Sequence, residues 1–436
     1  MALRVIETFS GIGAQAKALN RLSHRIDDFE YEIVATCEWE IGAMYAYDLI
    51  HHGPQNLDLY AHLSKEELLA KLLPLNLSND GKTPLSDSTL QKMPVTQLQA
   101  ILHAINTNQN KVDISEVHAW DLPYADMLTY SFPCQDLSIS SFWWNNTSGI
   151  DPNSGNRSSL LWQIGRLLNE YDQANLPKPR FLLMENVTAI QSPMHEENFN
   201  SWLELLNQHN YTVNEPIQLN ARNFGVPQNR VRTYMLSVLA SDYDDAIRRD
   251  LIEHTLRGRR LAPTMDGFLR LDYSDPQYFE EAIESTPNYT DSRRRIHDRS
   301  VILAEGNELT GNIAKTITTK QDRFPTAGLI EHHLDIPDRE IPAPYRNLTP
   351  REAFLLMGFD EIDFQTIKDE NLRITNNRNF LSHSKLLKLA GNSIVVNVLE
   401  AIFEQVNNFN NQYFDNNRAD QQLDNNIIDL RHRRII

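Results

Sequence analysis

Two side chains of reactive type stand directly after apolar runs in this sequence. Cys134 follows the run Met127–Tyr130 through Ser131–Pro133, and Glu185 follows the run Arg180–Met184. Such runs predict buried strands, and the carboxyl ends of parallel strands meet at one edge of a sheet. A thiol there is a candidate nucleophile, although a single cysteine is more often an inert buried residue. Because a carboxylate is costly to bury without a partner or a chemical task, we expect both side chains to form one site.

A glycine-containing turn follows the first predicted strand, Arg4–Phe9. The turn Ser10-Gly11-Ile12-Gly13 leads into a helical pattern. Its backbone allows a ligand to approach closely, and the helix N-terminus lies behind it. The alternative is an ordinary turn between a strand and a helix. The third glycine of the dinucleotide fingerprint is absent, which disfavours NAD as the ligand.

Acidic residues near the ends of two further predicted strands suggest a nucleoside site. Glu38 and Trp39 follow the strand Glu32–Cys37, where a carboxylate can accept from ribose hydroxyls and an indole can stack on adenine. Val112–Ile114 is predicted to resume the sheet, and its Asp113 either accepts from an adenine amino group or caps a turn. For Glu38 the alternative is an ordinary surface carboxylate beside a half-buried tryptophan.

Two arginines are predicted to share one face of a later strand. Arg230 and Arg232 are two residues apart in the sequence Gln228-Asn229-Arg230-Val231-Arg232. Alternate residues of a strand point to the same side, so this face can pair with a carboxylate or a phosphate. The alternative is a pair of surface arginines.

Bulk properties limit the classes of protein. The 436-residue chain has only two cysteines, Cys37 and Cys134, which argues against a disulfide framework or a cysteine-based zinc site. It begins directly with a strand, without a signal-sequence pattern, and no apolar run approaches membrane-spanning length. We therefore expect a cytoplasmic protein without a membrane partner. The net charge of −17 argues weakly against a nucleic-acid partner.

Clusters of arginine could nevertheless provide local positive fields. They occur at Arg257–Arg260, Arg293–Arg295 and Arg431–Arg434, and each cluster taken singly is better explained as a solvated face. Nucleic-acid binding therefore needs further support from the motifs.

The pattern of elements divides the chain. Strands alternate with helices over residues 1–236, with a helical insertion at about 42–111 and a long polar loop at 136–156 that could act as a lid. The alternation stops over 240–345, which predicts a second, irregular domain. The C-terminal patterns predict three further segments: a hinge over 346–386, a helix over 387–406 returning to the first domain, and a mobile polar tail over 407–436.

Together these segments resemble the DNA (cytosine-5) methyltransferase family, in the order that the family has them. The matching motifs are Phe9-Ser10-Gly11-Ile12-Gly13, Glu38-Trp39, Asp113-Ile114, Pro133-Cys134-Gln135, Glu185-Asn186-Val187, Gln228-Asn229-Arg230-Val231-Arg232, Leu348-Thr349-Pro350-Arg351-Glu352 and Gly391-Asn392-Ser393. Residues 240–345 match only as the place where the family carries its variable target-recognition domain. Glu7 replaces the family's more usual Asp, and the 42–111 insertion is longer than in compact bacterial members.

The resemblance implies a Rossmann-like α/β domain with a mostly parallel doubly wound sheet, and S-adenosylmethionine as cofactor without a metal. It implies that Phe9, Ser10, Gly11, Ile12, Gly13, Glu38, Trp39, Asp113, Ile114, Pro133, Asn392 and Ser393 bind the cofactor. Cys134 would add to C6 of a flipped-out cytosine in double-stranded DNA, with its pKa lowered by its surroundings. Glu185 would bind the N3/N4 edge through a carboxyl whose pKa is raised by burial, and Arg232 would lie at O2 against Glu185. Arg230 would support that network or contact the DNA backbone.

Three other functions remain as alternatives. The first is methylation of tRNA cytosine, which the hundred or so residues at 240–345 disfavour because tRNA-directed relatives have a much reduced recognition domain. The second is a regulator that binds S-adenosylmethionine or DNA without catalysis, and the third is an NAD-dependent dehydrogenase. We expect a monomeric modification enzyme of bacterial or phage type, and a cognate restriction endonuclease is a candidate functional partner without direct contact.

Overall fold

The computed structural model describes residues 2–134, 137, 149–151, 157–255, 263–334, 336 and 341–414. Gln135, most of the 136–156 loop and the arginine clusters at Arg257–Arg260 and Arg431–Arg434 therefore lie outside the described residues. The lid predicted for that loop remains a prediction.

A six-stranded sheet forms the centre of the larger domain, in the order β2-β1-β3-β4-β7-β5. Its strands are β1 (Leu3–Thr8), β2 (Tyr31–Cys37), β3 (Met127–Tyr130), β4 (Phe181–Val187), β5 (Tyr211–Asn220) and β7 (Val231–Leu239), and the two-residue β6 (Gln228–Asn229) precedes β7. β1 pairs in parallel with β2 and β3, and β3 with β4, whereas β7 runs antiparallel to β4 and β5. The predicted mostly parallel sheet is confirmed.

Helices cover both faces of this sheet. One core cluster joins inward side chains such as Val5 and Leu183 to the helices of the first face, and a second joins Leu182 and Met184 to the helices of the other. Among the described residues, the helices of this part are α1 (Ala14–Arg25), α2 (Ile41–His52), α3 (Lys65–Leu72), α4 (Asp87–Gln91), α5 (Val95–Thr107), α6 (Leu161–Gln173) and α7 (Glu196–Gln208). Successive strand residues point to opposite faces, so the two clusters alternate along each strand.

The helical insertion is part of the core and not a peripheral addition. Leu68 and Leu72 of α3 and Leu98 and Ile101 of α5 are fully buried in the same cluster as α1 and α2. α3 begins with a capping box, in which the Ser64 side chain accepts from the backbone N–H of Glu67. Local helix signals thus identified these helices, and burial of their apolar faces holds them on the large domain.

The prediction that Val112–Ile114 forms a strand is wrong. Val112 has φ of 63°, a conformation that a β-branched residue rarely adopts and that no strand uses. The contact with the sheet consists of a bridge between Asn110 and Thr36 and of the N–H of Lys111, which donates to Thr36 O at 2.8 Å. Although this segment is not a strand, Asp113 lies near the end of β2.

The remaining strands are short and most form a separate sheet. They are β8 (Ile302–Glu305), β9 (Glu308–Leu309), β10 (Ala314–Lys315), β11 (Leu329–Glu331), β12 (Tyr345–Asn347), β13 (Arg373–Thr375) and β14 (Arg378–Asn379). The order β12-β11-β8-β9 makes the small sheet, whereas β10 pairs in parallel with β6 of the large domain. A segment of the predicted recognition range is therefore joined by backbone hydrogen bonds to the strand that leads into β7.

The later helices tie the C-terminal half to the large domain. They are α8 (Asp244–Thr255), α9 (Pro276–Ser285), α10 (Asp291–His297), α11 (Pro350–Leu356), α12 (Glu361–Asp369), α13 (His383–Asn392) and α14 (Val396–Phe409). α8 contacts β5 and α14, so the start of the 240–345 range packs on the large domain. α11 begins at Pro350 with Thr349 as its N-cap, and Arg346 donates to both carboxylate oxygens of Glu352 at 2.7 Å.

The last helix packs against the large domain, because α14 contacts α1. The helix predicted over 387–406 is interrupted, since α13 ends at Asn392 and α14 begins at Val396. α14 extends to Phe409, and a π-helical turn covers Asn410–Phe414, so the tail predicted from residue 407 begins with ordered structure. By length and composition the span His383–Phe414, which contains α13 and α14, could cross a membrane. However, 67% of its apolar 18-residue window is buried inside the protein. This is the behaviour of a core helix.

Candidate active site

One cavity of about 380 Å³ lies at the carboxyl edge of β1, β2, β3 and β4. Its lining includes every residue that we predicted for cofactor binding or catalysis except Gly13: Phe9, Ser10, Gly11, Ile12, Glu38, Trp39, Asp113, Ile114, Pro133, Cys134, Glu185, Arg230, Arg232, Asn392 and Ser393. Sequence motifs separated by up to several hundred residues therefore meet around one space. Its size is within the range of small-molecule sites.

The glycine turn shapes one end of this cavity. Phe9, Gly11 and Gly13 all have positive φ values, and Gly13 directly precedes α1. A Cβ on Gly13 would lie 2.2 Å from the ring of His51, so this position requires glycine for packing below the turn. The turn thus brings its backbone and the start of α1 to the cavity, where Gly11, Ile12 and Ala14 line it.

Glu38 is held by the backbone on both of its carboxylate oxygens. It accepts from the N–H of Gly11 at 3.0 Å and from the N–H of Glu40 at 2.8 Å. Burial raises the pKa of Glu38 to about 7, which these two hydrogen bonds oppose. Its remaining lone pairs can accept from hydroxyl groups in the cavity.

Hydrogen bonds from neighbouring elements position the backbone around Cys134. The hydroxyl of Ser158 donates to Pro133 O at 2.7 Å, and the amide of Asn186 donates to Phe132 O at 3.1 Å. The hydroxyl of Ser131 donates to Phe9 O at 3.4 Å and joins this loop to the glycine turn. Ser158 was missed from sequence, where a serine in a helical pattern carries no distinguishing signal.

Burial governs the pKa of the Cys134 thiol and the pKa of the Glu185 carboxyl. It raises the pKa of Cys134, with the charges of Arg232 and Arg230 opposing the rise. The expected lowering of this pKa is therefore wrong, because removal from water outweighs the attraction of the two cations. Burial also raises the pKa of Glu185, as predicted.

Arg232 is the direct partner of Glu185. Its Nε lies 3.5 Å from Glu185 Oε1, and the two side chains are 15% and 11% exposed. β4 and β7 are adjacent antiparallel strands, so the side chains meet across the sheet. The carboxyl and the guanidinium together form a polar wall next to Cys134.

Arg230 donates its hydrogen bonds to backbone carbonyls, and its charge also opposes the rise in the pKa of Glu185. It lies between β6 and β7 and is 4% exposed, and its guanidinium donates to Ile317 O at 2.8 Å, Ser393 O at 2.7 Å and Gly391 O at 3.2 Å. Burial, together with the charge of Arg232, lowers its pKa to about 9. With these partners it joins the recognition range to the turn after α13, and its burial does not favour contact with a DNA phosphate.

Gln228 makes a second connection to the same segment. Its side-chain N–H donates to Leu356 O at 2.7 Å, and its carbonyl oxygen accepts from the N–H of Ile317 at 3.0 Å. At Gly391, an added Cβ would lie 2.5 Å from the carbonyl carbon of Thr318, so the backbones approach closely there. The segment around residue 317 is thus fixed beside the cavity.

The helical insertion also lines the cavity, which sequence reasoning missed. Its contribution consists of Asn76, Asp80, Gly81 and Pro84. The sequence assigns no function to the insertion, because residues in a polar turn have no periodicity that would mark them. In the described parts of the chain, no cluster of three or more His, Cys, Asp or Glu could hold a metal ion.

Comparison with known proteins gives a consistent result. The family model described as C-5 cytosine-specific DNA methylase matches residues 89–408. The orphan methyltransferase M.SssI of Spiroplasma monobiae is 31% identical, with 93% of this chain and 97% of that protein covered. The type II methyltransferase M2.ScrFI of Lactococcus lactis subsp. cremoris is 30% identical, with 93% and 99% covered. The S. pombe Dnmt2 methyltransferase structure shares the fold, with a TM-score of 0.56 at 17% identity over 94% of this chain and 100% of that chain.

Proposed function

The chain belongs to the C-5 cytosine-specific DNA methylases and methylates cytosine in DNA at C5, and on that premise we propose how its own residues carry out the transfer. The observation that supports the proposal is that one cavity brings the proposed catalytic residues and the proposed cofactor residues together. The thiol of Cys134 and the Glu185–Arg232 pair line the same space as the glycine turn, Glu38 and Asp113. A methyl donor and a cytosine can therefore meet inside it. Family membership overturns the dehydrogenase alternative.

The residues of the cavity suit S-adenosylmethionine, the cofactor that the family implies. Glu38 has lone pairs for a ribose diol, the backbone of the glycine turn can approach closely, and Asp113 can accept from an adenine amino group. Asn392 and Ser393 close the cavity from the turn after α13. When bound, this cofactor supplies a methyl group carried on a positively charged sulfur.

Cys134 is the proposed nucleophile. Its thiolate adds to C6 of cytosine, the C5–C6 electron pair becomes available at C5 for the new methyl bond, and later loss of the C5 proton restores the double bond and expels the thiolate. Because burial raises the thiol pKa, the positive charge of Arg232 is needed to favour the thiolate. The Cys134 loop is held by Ser158 and Asn186, which fix the direction of attack.

Glu185 is proposed to stabilise the base as charge develops at N3. A carboxyl whose pKa is raised by burial can hold a proton and donate it to N3, while its other oxygen accepts from the amino group at C4. Arg232 lies beside Glu185, which supports the proposal that it donates to O2 of the base. A base within a duplex cannot reach this depth, so the cytosine must be flipped out.

The range 240–345 is the proposed recognition domain for double-stranded DNA. Its segment Ala314–Lys315 pairs with β6, and Ile317 is held by Gln228 and Arg230, so the residues just after Ile317 lie at a fixed distance from the cavity. Lys320 and Arg323 are exposed directly after this anchor, and Phe324 is 50% exposed. These two cations can contact phosphates or guanines, and their positive charge locally offsets the net charge of −17.

We also propose that the enzyme works as a monomer in the bacterial cytoplasm, since the described residues of one chain bring the proposed cofactor and catalytic groups together around one cavity. The two relatives are named differently, one as an orphan and one as a type II methyltransferase. A restriction endonuclease, where present, would act on the same DNA site without contacting this chain.

The first test uses purified protein with S-adenosylmethionine and either unmethylated genomic DNA or tRNA, followed by mapping of 5-methylcytosine. We expect methylation of one short DNA motif and none with Cys134→Ala or Cys134→Ser, while both variants still bind the cofactor. DNA carrying 5-fluorocytosine should remain covalently attached to the unmodified protein, because fluorine cannot leave as a proton. Methylation of tRNA alone, or of DNA by Cys134→Ala, would contradict the proposal.

A further inference from the structure

The turn at residues 76–84 in the helical insertion forms one wall of the cavity. Asn76, Asp80, Gly81 and Pro84 all line it, together with Glu38 and Asp113. The two acidic residues Glu38 and Asp113 come from the end of β2 and the segment after α5, so the turn spans the space between them. The insertion therefore contributes to the part of the cavity assigned to the nucleoside.

This turn is firmly attached to the segment that carries Glu38. The N–H of Ser78 donates to Trp39 O at 2.8 Å, and Ser78 O accepts from the N–H of Ile41 at 2.9 Å. The hydroxyl of Ser78 donates to Thr83 O at 2.7 Å and accepts from the N–H of Gly81 at 3.0 Å. Ser78 is fully buried, so the turn has a defined conformation at this point.

A lysine from α13 holds the other side of the turn. Lys388 Nζ donates to Glu40 Oε2 at 2.7 Å and to Asp80 O at 2.6 Å. Glu40 is 5% exposed, and a buried carboxylate requires such a partner. The wall is thereby connected to the helix that leads into Asn392 and Ser393.

The side chain of Asn76 connects this wall to Asp113. The amide N–H of Asn76 donates to Asp113 Oδ2, and the N–H of Ser115 donates to Oδ1 at 2.9 Å. Both carboxylate oxygens are therefore fixed in position, and each keeps a lone pair for a ligand. A carboxylate offers only acceptors, so in this position it favours a donating group over an accepting one.

We propose that Asn76 is a positioning residue that acts through Asp113 to select a 6-amino purine over a 6-oxo purine in the cofactor. The inference rests on the proposed binding of S-adenosylmethionine in this cavity. An adenine amino group donates to the fixed carboxylate, whereas the oxygen of a 6-oxo purine would face it as a second acceptor. Without the amide of Asn76, the carboxylate can turn away from the ligand, and the discrimination weakens.

The test compares two homocysteine derivatives by isothermal titration calorimetry on the full chain. The ligands are S-adenosyl-L-homocysteine and S-inosyl-L-homocysteine, which differ at position 6 of the purine. We expect the unmodified protein to prefer the adenosyl compound by about 100-fold or more, since a site built for a hydrogen bond rejects the analogue that cannot make it. Asn76→Ala should reduce this ratio at least about tenfold, equivalent to about 1.4 kcal/mol.

Two further variants separate positioning from general damage to the fold. Asn76→Leu keeps a similar side-chain volume without the hydrogen-bond donor. It should therefore lose selectivity even if Asn76→Ala proves too unstable to test. Asn106→Ala removes an exposed asparagine of the same insertion whose amide donates to the Tyr60 hydroxyl, and it should keep the selectivity of the unmodified protein.

The selectivity ratio decides the outcome. If both Asn76 variants weaken the two ligands by the same factor, Asn76 is merely structural and the inference is overturned, while the proposed methyltransferase mechanism is unaffected. If the unmodified protein binds neither ligand, the cofactor assignment itself fails and the inference fails with it.

Discussion

Arg230 and Arg232 stand two residues apart, yet the structure predicts opposite consequences for their removal. Arg230 donates three hydrogen bonds to the carbonyls of Ile317, Gly391 and Ser393, whereas Arg232 faces the cavity and Glu185. We therefore expect Arg230→Met to destabilise the fold and Arg232→Met to impair the chemistry. Methionine is chosen because it keeps much of the length of the side chain without its donors.

The size of the Arg230 effect can be worked out from its contacts. Hydrogen bonds from a charged donor contribute about 1.5–3 kcal/mol each, but loss of a buried guanidinium also removes its own desolvation penalty, so the net cost is about 3–5 kcal/mol. An unfolding entropy of about 2.1 cal/mol/K per residue gives about 0.9 kcal/mol/K for this chain. The melting temperature of Arg230→Met should therefore fall by about 3–5 °C.

Arg232→Met provides the matched comparison. Arg232 approaches Glu185 at 3.5 Å and donates a hydrogen bond to Val231 O at 2.8 Å. Burial already raises the pKa of Glu185, so this carboxyl can be protonated when the cation is removed, and we expect the melting temperature of Arg232→Met to fall less than that of Arg230→Met. Its kcat should fall about 100-fold or more, as for loss of one donor to developing charge.

Differential scanning calorimetry and methyl-transfer kinetics on DNA measure both quantities for both variants. If Arg230→Met kept the melting temperature of the unmodified protein and lost kcat as Arg232→Met does, the assignment of Arg230 to a structural connection would be wrong. Equal loss of stability in both variants would equally contradict the separation of roles.

Two pH effects are expected from buried groups. The rate of Cys134 alkylation by iodoacetamide should begin to rise at a higher pH than for an ordinary thiol. In Arg232→Met this rise should move to a still higher pH, because the opposing charge is removed. An unshifted pH profile would refute this. Cys37 should not interfere, since burial raises its pKa to about 12. Glu7 is fully buried, its Oε2 accepts from the Tyr47 hydroxyl at 2.9 Å, and burial raises its pKa from 4.5 to about 8. Between those values the unfolded state releases a proton that the folded state retains, so stability falls as pH rises. Glu7→Gln should therefore melt like the unmodified protein at pH 4.5 and above it at pH 8, and a constant difference across this range would show that Glu7 does not carry the linkage.

The placement that the sequence predicts is that of residues at the ends of strands. Cys134 and Glu185 follow apolar strands, and the parallel arrangement brings strand ends to one edge whatever the loops do. Local signals were equally informative at helix starts, as in the Thr349–Pro350 entry to α11. These features depend on a few neighbouring residues or on a general rule of α/β sheets.

The features that the sequence did not reveal depend on partners far away in the chain. The carbonyl partners of Arg230 lie 87 to 163 residues away in the sequence. Asn76 donates to Asp113, and all of α5 lies between these two residues in the sequence. Neither contact has a period or a local motif. The acidity of Cys134 was misjudged for a related reason, because the depth of burial is a property of the assembled cavity and the two nearby arginines alone suggested the opposite direction.

The same long-range contacts connect recognition to chemistry. Gln228 and Arg230 hold Ile317, and Arg230 also holds the turn at Ser393. One short stretch before β7 therefore fixes the proposed recognition segment together with the proposed cofactor side of the cavity. A shift of the segment on binding DNA would therefore reach both the catalytic wall in β7 and the turn after α13. Because a misplacement of about 1 Å in a reacting group can reduce a rate about 100-fold, a recognition sequence that seats this segment incorrectly should lower kcat as well as affinity. Discrimination between DNA sequences in this enzyme should accordingly appear in kcat, and not in binding alone.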